Sequence, residues 1–217
     1  YDGQEACRNL LTHGDFGIGT FDRLDGEMLV LDGVVYQVRS DGTVARPGGD
    51  LRTPFAAVCA FRTDQSCTID KELDFKGMEA FLDTRLPNTN LFCAIRITGT
   101  FSLMETRSVP PQAKPYAPLA EVTKTQPRFT MKDVSGTIVG FRCPPFVKGI
   151  NVPGYHLHFI SDDRTRGGHI LGFKIRSGRC DVDLCNRLLL ILPEDKAALA
   201  GADLSKDRSG ELEKVEK

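Results

Sequence analysis

The sequence predicts a mixed α/β fold that is rich in β-strands, with few helices and two sheet-based subdomains. Short apolar runs bounded by turn residues recur along the chain, whereas only one segment repeats apolar residues at helical spacing. A proline-rich segment near residues 109–129 marks the boundary between an N-terminal subdomain, residues 1–110, and a C-terminal one, residues 130–217. At 217 residues the chain can bury a full core, so we treat both subdomains as parts of one unit.

The N-terminal subdomain is predicted to contain two hairpins, two further strands and one helix. Residues 27–47, EMLVLDGVVYQVRSDGTVARP, have two Asp-Gly turns, each between strand-like runs. The strand pattern continues in residues 55–62, FAAVCAFR, and in residues 91–109, LFCAIRITGTFSLMETRSV. Between these two strands, residues 74–86 place apolar side chains on one face of a helix that Pro87 is expected to end. Those side chains are Phe75, Met78, Phe81, Leu82 and Leu86.

The C-terminal subdomain is predicted to form a second sheet. The segment before it, residues 109–129, contains five prolines and few apolar anchors, so we expect a loop of low order there. Four strand-like runs follow this loop: TIVGFRCP, GYHLHFIS, GGHILGFKIRSG and DLCNRLLLILP. Residues 194–217 are charged and poor in apolar side chains, and the composition of residues 201–217 on its own predicts a frayed terminus.

Charge and hydropathy argue against nucleic acid or a membrane as a partner. The chain has 28 Lys plus Arg against 29 Asp plus Glu, without a block of one sign. No run approaches the roughly 18 apolar residues of a membrane span, and no charged and apolar leader opens the chain. We therefore expect a small-molecule or protein partner and a cytoplasmic location, although a removed leader would leave no trace in a sequence that begins at Tyr1.

The cysteines are predicted to be reduced. The seven cysteines form no CxxC pair, and their odd number cannot close completely within one chain. This pattern is typical of free thiols in a core rather than of a disulfide framework.

Three histidines predict a metal site. On a strand, residues two apart point to the same face, so His156 and His158 project together from GYHLHFIS. After a turn, the returning strand GGHILGF can bring His169 opposite them. Three imidazoles with no fourth Cys or His nearby suit zinc or a similar divalent ion with one position open for substrate. The alternative is that each histidine is an unrelated core or surface residue.

Other candidate residues carry weaker signals. The run GDFGIG, residues 14–19, matches neither a Walker loop nor G-x-G-x-x-G, and is best explained by a tight backbone bend. Glu27 opens a strand after this run, and Arg107 ends a strand before the proline-rich segment. Taken alone, both are most simply solvated surface charges, although strand ends beside long loops often carry function.

Four blocks, taken together, resemble a known family. They are HGDFGIGTFDRLDGEMLVLDGVVYQ, FAAVCAF, FCAIRITGTFSLMETRSVPPQAKPY and VPGYHLHFISDDRTRGGHIL. In this order, over nearly the whole chain, they resemble the alpha-acetolactate decarboxylase family, which implies the fold of that family. The resemblance also implies the site residues. The zinc ligands would be His156, His158 and His169, and the acidic site residues would be Glu27 and Glu216. The site arginine would be Arg107, and the substrate-binding threonine would be Thr20. The tail is short, and Glu213 would serve nearly as well as Glu216.

The resemblance implies a reaction as well as a site. It is the zinc-dependent decarboxylation of 2-acetolactate to (R)-acetoin and CO2 through a metal-stabilised enediolate, in a homodimer, without pyridoxal or thiamine. Arg107 would hold the carboxylate, while Glu27 and the tail glutamate would transfer the proton. Two alternatives are a metal-dependent hydrolase or isomerase on the same scaffold and a binding protein without activity. Retention of every expected site residue argues against the second.

Overall fold

A computed structural model describes residues 1–86 and 88–193, and strands dominate these ranges, which confirms the predicted fold class. The strands are β1 (Glu5–Ala6), β2 (Phe16–Thr20), β3 (Glu27–Leu31), β4 (Val34–Val38), β5 (Val44–Ala45), β6 (Arg52–Thr53), β7 (Ala56–Cys59), β8 (Gln65–Ile69), β9 (Leu73–Asp74), β10 (Phe92–Arg107), β11 (Arg128–Cys143), β12 (Gly154–Ser161) and β13 (Gly167–Cys185). The α-helices are α1 (Cys7–Leu10), α2 (Phe75–Asp83) and α3 (Leu119–Val122), and short 3-10 turns occupy Asp22–Leu24, Thr123–Thr125 and Pro145–Val147.

Most of the strands belong to two antiparallel sheets. The larger sheet has the order β10-β11-β12-β13-β8, and β9 also pairs with β13. Because β10 pairs with β13 as well as with β11, the pairing of β10, β11, β12 and β13 closes into a ring. The smaller sheet has the order β5-β4-β3-β2-β7, while β1 and β6 form a separate two-stranded ribbon.

Strand β10 connects the two predicted halves of the chain. It lies before the expected boundary, yet its partners β11 and β13 both come from beyond that boundary. Its 16 residues are paired along both edges for nearly their whole length. The proline-rich segment therefore divides the chain but not the sheets, and the expectation of a separate sheet in each half does not describe β10.

Apolar side chains from the two sheets form two main cores. Within the larger sheet, Phe101 packs edge-on against Phe159 and Phe173, with ring centroids 5.3 and 5.8 Å away. Between the sheets, buried residues of β2 to β4, such as Leu29, meet buried residues of β11 and β12, such as Ile160. Burial of these apolar faces holds the smaller sheet against β11 and β12.

Several local elements follow the sequence patterns, but the predicted strand DLCNRLLLILP is not a separate strand: its first residues end β13 at Cys185, and residues 186–193 form no strand. The first Asp-Gly turn has positive φ at both Asp32 (52°) and Gly33 (74°), as the tight hairpin turn requires. Helix α2 begins at the Asp74 cap, whose side chain accepts a hydrogen bond from the Gly77 N–H at 2.7 Å. The helix ends at Asp83, before Pro87, which is outside the described residues.

The proline-rich segment is better packed than its composition suggests. It contains α3, and its residues Val109 and Val122 form a small core with Leu24. The apolar anchors of this segment are few and far apart in sequence, so their packing leaves no local pattern. Among the helices of the described residues, none is long and apolar enough to cross a membrane. Both tail glutamates considered above, Glu213 and Glu216, lie outside the described residues.

Candidate metal centre and active site

Three buried histidines meet on the larger sheet, as the strand pattern predicts. The ring centroids of His156, His158 and His169 lie 5.0 to 5.3 Å from one another. One ligand nitrogen from each ring lies within 4.8 Å of the other two. Such convergence of three imidazoles in a site shielded from water suits a divalent transition metal such as zinc.

Strand alternation and strand register together assemble this group. Leu157 and Phe159 point into the core of the larger sheet, so the histidines on either side of Leu157 point to the opposite face. The β12–β13 pairing then sets His158 directly opposite His169. Just before His169, Gly168 has a φ of +133°, a backbone conformation that favours glycine.

The orientation of His158 is fixed by a backbone carbonyl. Its Nδ1 lies 2.8 Å from the carbonyl oxygen of Met28 on β3. A carbonyl only accepts hydrogen bonds, so Nδ1 carries the proton and Nε2 keeps its lone pair. Nε2 is buried without a hydrogen-bond partner, and its nearest acidic atom is Oε2 of Glu27 at 3.5 Å. A buried imidazole lone pair with this support is the arrangement found in metal-binding histidines.

The electrostatic surroundings keep His158 neutral. Burial, followed by the nearby His156 and Arg107, holds the pKa of His158 well below its usual range, although the hydrogen bond to Met28 opposes this shift. A neutral imidazole is the form that binds a metal ion. The side chain therefore needs no deprotonation to act as a ligand near neutral pH.

Two predicted site residues come from the smaller sheet. Thr20 and Glu27 are direct cross-strand partners on β2 and β3, so their side chains share one face. The Thr20 hydroxyl donates to the carbonyl oxygen of Gly26 at 2.8 Å, which leaves its oxygen able to accept a hydrogen bond. The Glu27 side chain is buried, at 8% exposure, and reaches the edge of the histidine group.

Arg107 enters the site from the end of β10. In the β10–β13 pairing it stands opposite His169, and only 4% of it is exposed. Hydroxyls on either side hold its backbone: Thr106 donates to the Gly167 carbonyl at 2.8 Å, and Ser108 donates to the Val38 carbonyl at 2.7 Å. The surface arginine that the sequence alone favours is therefore a buried cation beside the histidines.

A single cavity of about 340 Å³ joins most of these residues. Its polar lining includes Thr20, Glu27, Arg107, His156 and His158, all of them among the predicted site residues. Its apolar lining comes from segments that the sequence analysis did not assign to the site: Leu24, Phe55, Val109, Leu119, Ile150 and Val152. Only the folded chain reveals these residues, because they are scattered along the sequence and share no motif.

Comparison with known proteins gives a consistent assignment. A model of the alpha-acetolactate decarboxylase family matches residues 1–206. The chain is 46% identical over 217 residues to the alpha-acetolactate decarboxylase of Methanosarcina mazei, covering all of this chain and 75% of the relative. The corresponding Bacillus subtilis protein is 41% identical over 211 residues, covering 95% of this chain and 83% of the relative. The crystal structure of alpha-acetolactate decarboxylase from Bacillus subtilis superposes with a TM-score of 0.96 at 40% identity, covering all of this chain and 92% of that one. The chain therefore belongs to the alpha-acetolactate decarboxylase family.

Proposed function

We propose that this chain is a carboxy-lyase that converts 2-acetolactate to (R)-acetoin and CO2 with the help of a bound zinc ion. The observation that carries the proposal is one cavity, in a chain of this family, that is lined by two of three clustered histidines, a buried carboxylate and a buried guanidinium. This combination suits a small anionic substrate whose negative charge moves from its carboxylate to another oxygen during the reaction.

The histidine group is the proposed zinc site. His156, His158 and His169 would supply three nitrogen donors, and the buried lone pair of His158 is already aligned by the Met28 carbonyl. Zinc bound there would act as a Lewis acid toward the substrate oxygens on which charge develops, a contribution of several kcal/mol. Three protein ligands leave a coordination position for the substrate.

Arg107 is the proposed binding group for the substrate carboxylate. Its planar fork of N–H donors matches a carboxylate better than the compact ammonium of lysine does. Arg107 as a whole is only 4% exposed, so water competes weakly for its charge. Holding the carboxylate places the carbon–carbon bond that breaks within the cavity.

Glu27 is the proposed proton-transfer group. Loss of CO2 leaves the bonding electron pair on the substrate, where the adjacent ketone accepts it and an enediolate forms. One proton must then reach the enediolate carbon to give acetoin. Glu27 lies in the lining of the same cavity and 3.5 Å from the histidine group, so its carboxyl can reach a molecule bound there. Thr20, its cross-strand neighbour, can accept a hydrogen bond from the substrate hydroxyl.

The apolar lining is proposed to position the substrate methyl groups and to limit access of water. Leu24, Val109 and Val152 are buried residues of this lining. A wall of this kind strengthens the electrostatic effect of Arg107 and of the bound ion, because fewer waters screen them.

Three further features are proposed from the family resemblance. A tail glutamate, Glu216 or else Glu213, would act with Glu27 in proton transfer. The enzyme would be a homodimer, and it would work in the cytoplasm. Sedimentation of the purified chain tests the dimer directly: a mass near 48 kDa, twice the 23.9 kDa of one chain, is expected, and a mass near 24 kDa would contradict it.

An assay on several substrate classes tests the proposed reaction. The zinc-loaded protein should release acetoin and CO2 from racemic 2-acetolactate and leave simple esters and lactones intact. Glu27→Gln should retain zinc but lose most turnover, because the amide keeps the shape of the side chain and cannot deliver the proton. Ester or lactone hydrolysis without acetoin would instead support the metal-dependent hydrolase.

A further inference from the structure

A second group of metal-type donors lies at the far end of β13. The histidine site uses the start of this strand, at His169, whereas Asp183 and Cys185 belong to its last three residues. These two residues are two apart, so strand alternation sends both side chains to one face. Cys59, the last residue of β7 in the smaller sheet, meets them there.

The distances within this group approach those of a metal centre. One donor atom from each of Cys59, Asp183 and Cys185 lies within 4.8 Å of the other two. In a tetrahedral zinc site, with zinc–sulfur bonds of about 2.3 Å, the two sulfurs stand about 3.8 Å apart. A movement of about 1 Å or less at the ends of two strands would therefore bring the donors to that spacing.

Hydrogen bonds already hold the donors together. The Cys59 and Cys185 sulfurs lie within 4.8 Å of each other, and the Cys185 sulfur also lies 3.8 Å from the Asp183 carbonyl oxygen. One carboxylate oxygen of Asp183 accepts from the Arg62 N–H at 2.9 Å, which fixes the side chain.

The charge around the group also favours a cation. Asp183 and Asp15 both place negative charge beside the Cys59 sulfur. A bound ion would displace the thiol protons, and its positive charge would be offset by these two carboxylates.

We propose that Cys59, Asp183 and Cys185 form a second metal site, for a thiophilic divalent ion such as zinc, separate from the histidine site. Two sulfur donors and one oxygen donor, from strands of the two sheets, suit such an ion, with water as a fourth ligand because both cysteines are only half-buried. The ion would join β7 of the smaller sheet to β13 of the larger sheet. Its role is to stabilise the contact between the sheets.

Cobalt titration of the reduced, metal-free protein tests this site, because cobalt bound to thiolates gives a charge-transfer absorption that cobalt bound to histidines lacks. We expect two bound equivalents per chain, one of which develops this absorption. Cys59→Ser and Cys185→Ser should lose the absorption and keep the other equivalent. Cys67→Ser is the matched control, since Cys67 is also half-buried and pairs with the same strand at Cys180; it should keep both.

The results separate this proposal from the proposed reaction. His158→Ala should lose acetoin formation while it keeps the thiolate absorption. A wild-type protein that binds cobalt without any thiolate absorption would overturn the second site, and so would an absorption that survives both Cys59→Ser and Cys185→Ser. A count of five reactive thiols in the denatured protein, purified without reductant and restored to seven by reduction, would assign the pair to a disulfide and also overturn it.

Discussion

Replacing Gly168 with alanine tests how strictly the strand pairing positions the histidine group. Gly168 has a φ of +133°, a backbone conformation that L-residues with a side chain rarely adopt. An added Cβ would lie 2.5 Å from the carbonyl oxygen of Arg107 and 3.1 Å from Cβ of Thr106. Because Cβ atoms do not approach backbone closer than 3.0 Å, β10 and β13 must separate locally. His169, the next residue, must move with them.

The expected loss of unfolding free energy has two contributions, the strained backbone at residue 168 and the separation of β10 from β13. A strained backbone conformation costs about 1–3 kcal/mol, and the separation of paired strands raises the expected loss of unfolding free energy to about 2–4 kcal/mol. In a protein of this length, each kcal/mol lowers Tm by about 2–4 °C, so we expect a fall of roughly 4–16 °C. Displacement of His169 should also weaken zinc binding by roughly 10–100-fold.

Gly172→Ala is the matched control for this prediction. Gly172 lies four residues further along the same strand, and an added Cβ would meet only the flexible carboxylate of Glu105, at 3.3 Å. Thermal unfolding and competition with a chelator should therefore leave Gly172→Ala close to the wild type. If Gly168→Ala matched the wild type in both Tm and zinc affinity, the reasoning on strand register would be refuted.

Three other substitutions test separate parts of the structure. Arg107→Lys should keep zinc and lose much of its turnover, and equal kcat/KM in both proteins would show that Arg107 is a bystander. Arg142→Met should lower the unfolding free energy by about 2–3 kcal/mol in a denaturant titration. This is less than the loss expected for a fully buried ion pair, because the Asp83 partner of Arg142 is half exposed. An unchanged midpoint of the titration would contradict this prediction. Glu216→Gln, compared with Glu213→Gln in the acetoin assay, should show the larger loss of turnover, and the reverse order would move the assignment to Glu213.

The histidine group could be predicted from sequence because its geometry is local. Alternation along β12 fixes the shared face of His156 and His158, and a short turn returns the chain to His169. Register in a hairpin depends on nearby residues, so one strand pattern and one turn suffice. The same logic predicted both Asp-Gly hairpins and helix α2.

The cavity walls and the role of β10 could not be predicted in this way. Val109 and Leu119 line the cavity only because the proline-rich segment folds against the site, and no periodicity marks that contact. The pairing of β10 with β13 joins residues that are far apart in sequence: Arg107 and His169, 62 positions apart, are in register at one end, and Phe92 and Cys185, 93 positions apart, at the other. Contacts at this separation depend on the whole fold and leave no local pattern.

Metal removal and reloading, measured through acetoin formation, tests the central claim most directly. Protein stripped of metal by a chelator should release no acetoin from 2-acetolactate above the uncatalysed rate, and one equivalent of zinc at the histidine site should restore turnover. His158→Ala should stay folded, lose most of the zinc bound at that site and remain inactive after the same treatment, because the metal loses a ligand that the Met28 carbonyl holds in place. Full activity in metal-free wild-type protein, or in metal-free His158→Ala, would contradict the account.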